Sequence, residues 1–136
     1  MTYAVSASLQ KAVFGQLQAD AALTALIGAA LFDTAPAGDV PDLYVALGEE
    51  RVRDRSDQSG DGAQHELAVS VISNENGFLA AKTVAAAVCD ALLGANMVLE
   101  RGRLVLFAFD RADARRVRSG NGREIILRFR ARVEDN

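Results

Sequence analysis

The sequence predicts an α+β fold, in which helices cover one face of a mainly antiparallel sheet of four to five strands. Two segments carry apolar residues at helical spacing, and the C-terminal segments alternate apolar and polar residues as strands do. The elements follow in the order α, β, β, α, β, β. Because the 136 residues contain no linker and no internal repeat, we expect a single domain over residues 1–136.

The helices are predicted from their caps and their apolar spacing. Ser6 or Ser8 is expected to cap a first helix that carries Leu9, Val13 and Leu17. Asp20 is expected to cap a second helix over residues 21–27, which Gly28 ends. An alanine-rich helix over residues 78–93 follows later and ends at Gly94.

The strands are predicted over residues 31–32, 43–48, 65–73, 103–109 and 123–133. Residues 119–122, Ser-Gly-Asn-Gly, have the composition of a tight hairpin turn between the last two strands. Residues 49–63 are polar and are expected to form a long loop that becomes ordered only on docking to a partner.

The last strand has one apolar face and one arginine face, because successive side chains in a strand point in opposite directions. Arg128, Arg130 and Arg132 share one parity. Together with the polar loop they give the residues that we expect at subunit or partner interfaces: Arg51, Arg53, Asp54, Arg55, Asp57, Asp61, Arg128, Arg130 and Arg132.

Residues 104–109 are apolar at both parities, so this strand has no evident solvent face. Helices on one side of the sheet leave the other side uncovered. We therefore expect a neighbouring subunit to cover this strand, although a loop or the N-terminal segment of the same chain is the alternative.

Charge is distributed unevenly along the chain. Residues 1–100 hold 5 basic and 13 acidic groups, whereas residues 101–136 hold 10 arginines and 5 acidic groups. This asymmetry favours association of unlike surfaces. No apolar run approaches the length of a membrane span, and residues 1–10 lack the pattern of a secretory signal, so we expect an intracellular origin.

The motifs of catalysis and metal binding are incomplete. His65 has no second histidine to complete a triad or a metal site, and is expected to be an ordinary, partly exposed residue. Cys89 is expected to be a small buried residue. Residues 57–62 match the start of a calcium loop, but Ala68 stands where the loop needs a bidentate Glu. We predict no enzymatic activity, no metal and no cofactor.

The layout of the chain resembles the tail-terminator (tail-completion) proteins of long-tailed phages and gene transfer agents. The resemblance rests on residues 17–20, the helix stop at residues 26–28, the strand that begins in Pro41-Asp42-Leu43-Tyr44-Val45, the long polar stretch, residues 65–73 and the alanine-rich helix. Asp42 and Leu43 separate Pro41 from Tyr44, which departs from the spacing expected of the family.

The resemblance implies a structural virion protein at the head–tail joint, made in the bacterial cytoplasm. Such a protein is expected to form a hexameric ring that caps the tail tube and stops its polymerisation. Its expected partners are its own copies, the tail-tube protein and a head-side connector or stopper protein. DNA is expected to pass through the ring without specific contacts, and no membrane is involved.

Two alternatives differ from this role. One is another neck or head-completion protein of a phage. The other is a nucleic-acid-associated protein that uses the C-terminal arginine face. An isoelectric point of about 5.1 and the scarcity of aromatic residues for base stacking count against the second alternative.

Overall fold

Five strands form one sheet in the order β1-β2-β3-β5-β4, and three helices pack against one of its faces. A computed structural model describes residues 3–34, 36–56, 62–75, 77–117 and 122–135. Only β1 and β2 run parallel, and the other neighbouring strands are antiparallel. The predicted α+β fold with a mainly antiparallel sheet is confirmed. The bounds of the elements are α1 Ser6–Ala19, α2 Ala21–Ile27, β1 Leu31–Phe32, β2 Leu43–Asp54, β3 Gly62–Ser73, α3 Leu79–Leu93, β4 Arg103–Arg116 and β5 Arg123–Glu134.

Helix α1 buries Leu9, Val13 and Leu17, as the four-residue spacing predicts. The predicted serine cap is wrong, because Val5 precedes the helix and makes no side-chain cap. The Ser6 hydroxyl instead donates to Glu50 on β2, and the Ser8 hydroxyl accepts from the backbone N–H of Arg101 at 2.9 Å. Both serines therefore hold α1 against other parts of the fold.

Helices α2 and α3 begin and end at, or within one residue of, their predicted positions. The Asp20 carboxylate accepts from the backbone N–H of Leu23 at 3.0 Å, which confirms the predicted cap of α2. Gly28 ends α2 with a φ of 60°, a conformation that glycine adopts without strain. Helix α3 ends at Gly94 and buries its predicted stripe, which consists of Ala81, Val84, Ala85, Val88 and Leu92.

The core lies between α1, α3 and the helix-facing side of the sheet. On β5 this side carries Ile125, Leu127, Phe129, Ala131 and Val133, each at most 4% exposed. Phe107 of β4 stacks on Phe129 with ring centroids 5.3 Å apart. The alternation predicted for the last strand is thus confirmed, and the apolar parity of β5 faces the helices.

The polar stretch over residues 49–63 is not a long loop, and that prediction is wrong. Residues 49–54 continue β2, and Gly62 and Ala63 begin β3. Backbone pairing brings Arg51 opposite Glu66 and Arg53 opposite Gln64. A strand at the edge of a sheet with one uncovered face can be polar, so composition alone misassigned this segment. Strand β4 likewise extends to Arg116, seven residues beyond its predicted end.

Candidate assembly interface

The open face is the side of the sheet that the helices leave uncovered, and charged residues line it. Cross-strand register places Arg51, Glu66, Arg130 and Ala108 in one row across β2, β3, β5 and β4. Arg51 Nε lies 4.0 Å from Glu66 Oε2, and Arg130 Nε lies 3.8 Å from Asp110 Oδ1. The predicted arginine parity of β5 therefore lies on the open face, where acidic residues from the neighbouring strands interleave with it.

Arg128 lies in the next row, between Ala68 of β3 and Arg111 of β4. Its Nε atom is buried and has no hydrogen-bond partner among the described residues. Beside it the sheet forms a groove of about 450 Å³. The charged residues that line this groove are Glu49, Glu50, Arg51, Glu66, Asp110, Arg111 and Arg128. The groove offers groups of both signs and therefore suits a partner surface that is itself charged.

The end of the β2–β3 hairpin brings together the remaining described candidates. Arg132 Nη2 donates to the carbonyl oxygen of Arg55 at 3.4 Å, and Arg53 is exposed. The Ser56 hydroxyl and the Ser56 backbone N–H donate to Asp54, and these hydrogen bonds hold the pKa of Asp54 below its usual range. Asp57 and Asp61 lie outside the described residues.

Strand β4 is the last strand of the sheet and has a pairing neighbour on one side only. Leu104 and Phe107 pack partly against the core, whereas Val105, Leu106 and Phe109 remain 46%, 56% and 42% exposed. Strand β4, which is predicted to have no solvent face, therefore presents exposed apolar side chains in this chain. Within the described ranges neither a loop nor the N-terminal segment buries these side chains, so that alternative is not supported there. The covering of β4 by a neighbouring subunit stays a prediction.

His65 is completely buried, so its predicted exposure is wrong. It lies on the helix-facing side of β3, where its Nδ1 is 3.3 Å from Glu50 Oε2. Glu50 also accepts hydrogen bonds from the hydroxyls of Tyr3 and Ser6. The sequence does carry the signal, because residue 65 shares its parity with the buried Val69 and Val71. This cluster joins α1 to β2 and β3 on the helix-facing side of the sheet, and Glu50 also borders the groove described above.

Cys89 is half-buried on α3, and burial together with the nearby Asp90 raises the pKa of its thiol. Among the described residues no three His, Cys, Asp or Glu side chains are placed to hold a metal ion. No helix in the part of the chain that the structure describes is long and apolar enough to cross a membrane.

Comparison with known proteins decides the family. Residues 11–134 match the family described as Tail completion protein gp17. The chain belongs to this tail completion family. A chain from a structure titled "Virion of native gene transfer agent (GTA) particle" is 54% identical, with a TM-score of 0.91, and the match covers 98% of this chain and 99% of that chain. Comparison with curated proteins gives no match.

Membership of the tail completion family confirms the resemblance drawn from the layout of the chain. Tail completion proteins are structural components of phage-type virions, so the predicted structural role in a tail and the predicted place in a virion or phage-like particle are confirmed at that level. The charged open face and the uncovered strand β4 are therefore surfaces of a protein that works within an assembly.

Proposed function

We propose that this tail completion protein forms a ring, six-membered by resemblance, that caps the tail tube at the head–tail joint. The ring stops polymerisation of the tube and presents a surface to a head-side connector or stopper protein. The observation that carries the proposal is the likeness of nearly the whole chain to a chain of a gene transfer agent particle, at 54% identity. A structural role of this kind requires no catalytic group.

A ring subunit needs two flanks that contact its neighbours and two chemically different ends. The uncovered apolar side chains of β4 supply a flank, because exposed Val105, Leu106 and Phe109 gain from burial. The hairpin end at Arg53, Asp54 and Arg55 carries charges and supplies an end. These features support assembly with other copies and with the tube.

The candidate contact residues are assigned to the open face and the hairpin end. Arginine pairs with carboxylates through two parallel N–H donors, which gives both strength and fixed geometry. We assign contacts with carboxylates of the neighbouring subunit, the tube or the connector to Arg51, Arg53, Arg55, Arg128, Arg130 and Arg132. The acidic residues Asp54, Asp57 and Asp61 are assigned to basic groups of the same partners.

DNA is proposed to pass through the ring without being read. Arg115 lies 2.7 Å from Glu124, and Arg130 lies close to Asp110, so acidic groups offset the arginines on the open face. Such pairing weakens the attraction of a phosphate backbone. The structure therefore favours the assembly role over a role in nucleic-acid binding.

The test is complementation of a deletion of this gene, followed by image reconstruction of the particles. We expect the deletion to give tails without regulated length and heads without joined tails, and the intact gene to restore joined particles. The reconstruction should place a six-fold ring of this chain between the tube and the head-side connector. A location elsewhere in the particle, or another rotational symmetry, would overturn the proposal.

A further inference from the structure

We propose that strand β4 of one copy docks along the free part of β2 of a second copy, so that the sheet continues from subunit to subunit. Phe109 then seats in the groove beside α1 of that copy. This inference rests on the proposed ring and names the surfaces that would form it. Its occupant is a second copy of this chain.

Beside Ile125 and Leu127, the helix layer of each copy ends one strand short of the sheet edge. Helix-facing Ile125 and Leu127 of β5 are buried, but their partners in register on β4, Ala114 and Ala112, are exposed. Phe109 continues this stripe, and its ring meets Phe129 edge-on at 6.0 Å. These three residues form an apolar ridge at the β4 edge that this chain's helices leave uncovered.

The opposite edge of the sheet is also incomplete. Strand β1 pairs only with Val45 and Ala46, so on the side away from β3 the rest of β2 toward Asp54 has no pairing neighbour among the described residues. A groove of about 530 Å³ lies on the outer side of α1, at the β1 edge of the sheet, and its lining includes Ala7, Gln10, Phe14, Gly15, Gln18 and Asp33. The groove and the ridge thus lie in the same helix layer at opposite edges.

Strand direction fits this arrangement. Because β2, β3, β5 and β4 alternate in direction, β4 runs opposite to β2. A second copy placed in the same orientation therefore brings its β2 antiparallel to β4, which is the more stable pairing. The contact joins two different surfaces, and repeated contacts of that kind form a closed ring when the rotation from copy to copy closes.

Both edges carry charged residues of either sign. On the free part of β2, Glu49 and Arg53 are exposed and form no ion pair with a described residue. On β4, Arg116 is exposed and unpaired within the described ranges, while Asp113 meets Arg111 only at 3.9 Å. Both signs are thus available on each edge for pairs across the contact. A contact of β4 with β4 of another copy would leave the α1 groove empty.

The experiment cross-links cysteines within assembled particles. In a Cys89→Ala chain we introduce Phe109→Cys on the ridge together with Gly15→Cys in the groove, where a side chain meets nothing within 4 Å. A short bismaleimide should link copies into a ladder that ends at the size of the ring, while either cysteine alone should give only monomers. The matched control pairs Phe109→Cys with Leu79→Cys, which is 82% exposed on α3 and belongs neither to the ridge nor to the lining of the groove.

Two results would overturn the inference: dimers formed by Phe109→Cys alone, or a ladder no stronger than that of the control. Phe109→Glu gives a second measurement that needs no cross-linking. The purified variant should melt cooperatively and yet fail to restore particles, whereas Leu79→Glu should restore them. Particles restored by Phe109→Glu would also overturn the inference. If the reconstruction shows the ring at the joint but the cross-links fail, the proposed function stands without this interface.

Discussion

His65 and Glu50 form a buried contact between β3 and β2, with His65 Nδ1 3.3 Å from Glu50 Oε2. The histidine is completely buried, and the carboxylate also accepts from Tyr3 and Ser6. One carboxylate thus joins the start of α1 to two strands. It lies just beyond the irregularity in β2 between Leu47 and Glu50.

Replacing Glu50 should destabilise the fold. Glu50→Ala leaves the buried donors of Ser6 and His65 without an acceptor, and we expect a loss of about 2–3 kcal/mol in the free energy of unfolding. Urea unfolding followed by circular dichroism measures this loss. Glu49→Ala is the matched control, because Glu49 is the exposed neighbour and should change stability by less than about 0.5 kcal/mol. Equal losses in the two variants would show that the cluster does not stabilise the fold.

Acid should weaken the fold through the same carboxylate. Burial pushes the pKa of Glu50 up, but hydrogen bonds from Tyr3, Ser6 and His65 outweigh burial and hold the pKa below its ordinary value. A carboxyl group with a lowered folded-state pKa adds stability above its unfolded pKa of about 4.3, and this stability is lost as pH falls through the folded-state pKa. We expect wild type to lose more stability than Glu50→Gln between about pH 6 and pH 3, as measured by urea unfolding. Parallel pH profiles would contradict the assignment.

Arg130 tests the open face without disturbing the core. Its side chain is about half exposed and lies 3.8 Å from Asp110, so Arg130→Glu should change stability by less than about 1 kcal/mol. We expect the purified variant to fold and to lose the ability to restore particles. Lys82→Glu on the exposed side of α3 should fold and restore them. A normal particle yield from Arg130→Glu would show that the arginine row is only solvated surface.

Arg128 is less suitable for this purpose, although it lies on the same face of β5. Its Nε is buried, so a Glu at this position would also change the packing beneath it. A triple replacement of Arg128, Arg130 and Arg132 would therefore mix a loss of stability with a loss of assembly. The single Arg130 variant separates the two effects.

The tip of the β2–β3 hairpin can be shortened without cutting into the strands. The backbone N–H of Arg55 donates to the carbonyl oxygen of Gly62 at 2.8 Å, so these residues close the ladder. Replacing residues 56–61 by Asn-Gly gives a two-residue connection that suits a hairpin. We expect the melting temperature to stay within a few degrees of wild type and the particle yield to fall. A full particle yield would mean that Asp57 and Asp61 make no contact needed for assembly.

A deletion of residues 53–60 should instead destabilise the fold, because it removes ladder positions. Arg53 pairs in register with Gln64, and Asp54 with Ala63. The predicted long loop over residues 49–63 is therefore wrong for this part of β2. Melting curves of the two shortened chains, measured side by side, distinguish strand from connection.

The sequence predicted the parts of the fold in which local chemistry and tertiary packing agree. Asp20 and Gly28 mark the ends of α2 because a side-chain cap and a positive φ are local requirements. The parity of Ile125, Leu127 and Phe129 shows which side of β5 the core covers. These signals need no knowledge of distant residues.

The predictions are wrong where contacts between residues distant in the sequence determine the local structure. Residues 49–54 are polar, and only pairing with β3 makes them a strand. Ser6 resembles a helix cap in sequence, but its hydroxyl donates a hydrogen bond to Glu50, which is 44 residues away in the chain. The partial exposure predicted for His65 rests on its place at the start of the predicted strand over residues 65–73, but β3 begins at Gly62 and His65 lies within it. The alternation along β5 was enough to propose that its arginines lie on one face. Which residues of the neighbouring strands stand beside them depends on the register of four strands, which the sequence does not show.

The irregularities in β2 and β4 bear on whether addition of copies along the sheet can stop. Register shifts lie between Leu47 and Glu50 on β2 and between Phe109 and Arg111 on β4. Bulges of this kind bend a strand and increase its local twist. If the strands at the two edges were flat, each copy would join the next without rotation. Copies would then add without end as a ribbon. If copies join as proposed, twist at β2 and β4 rotates each added copy, and the curvature that a closed ring needs then follows from these two strands.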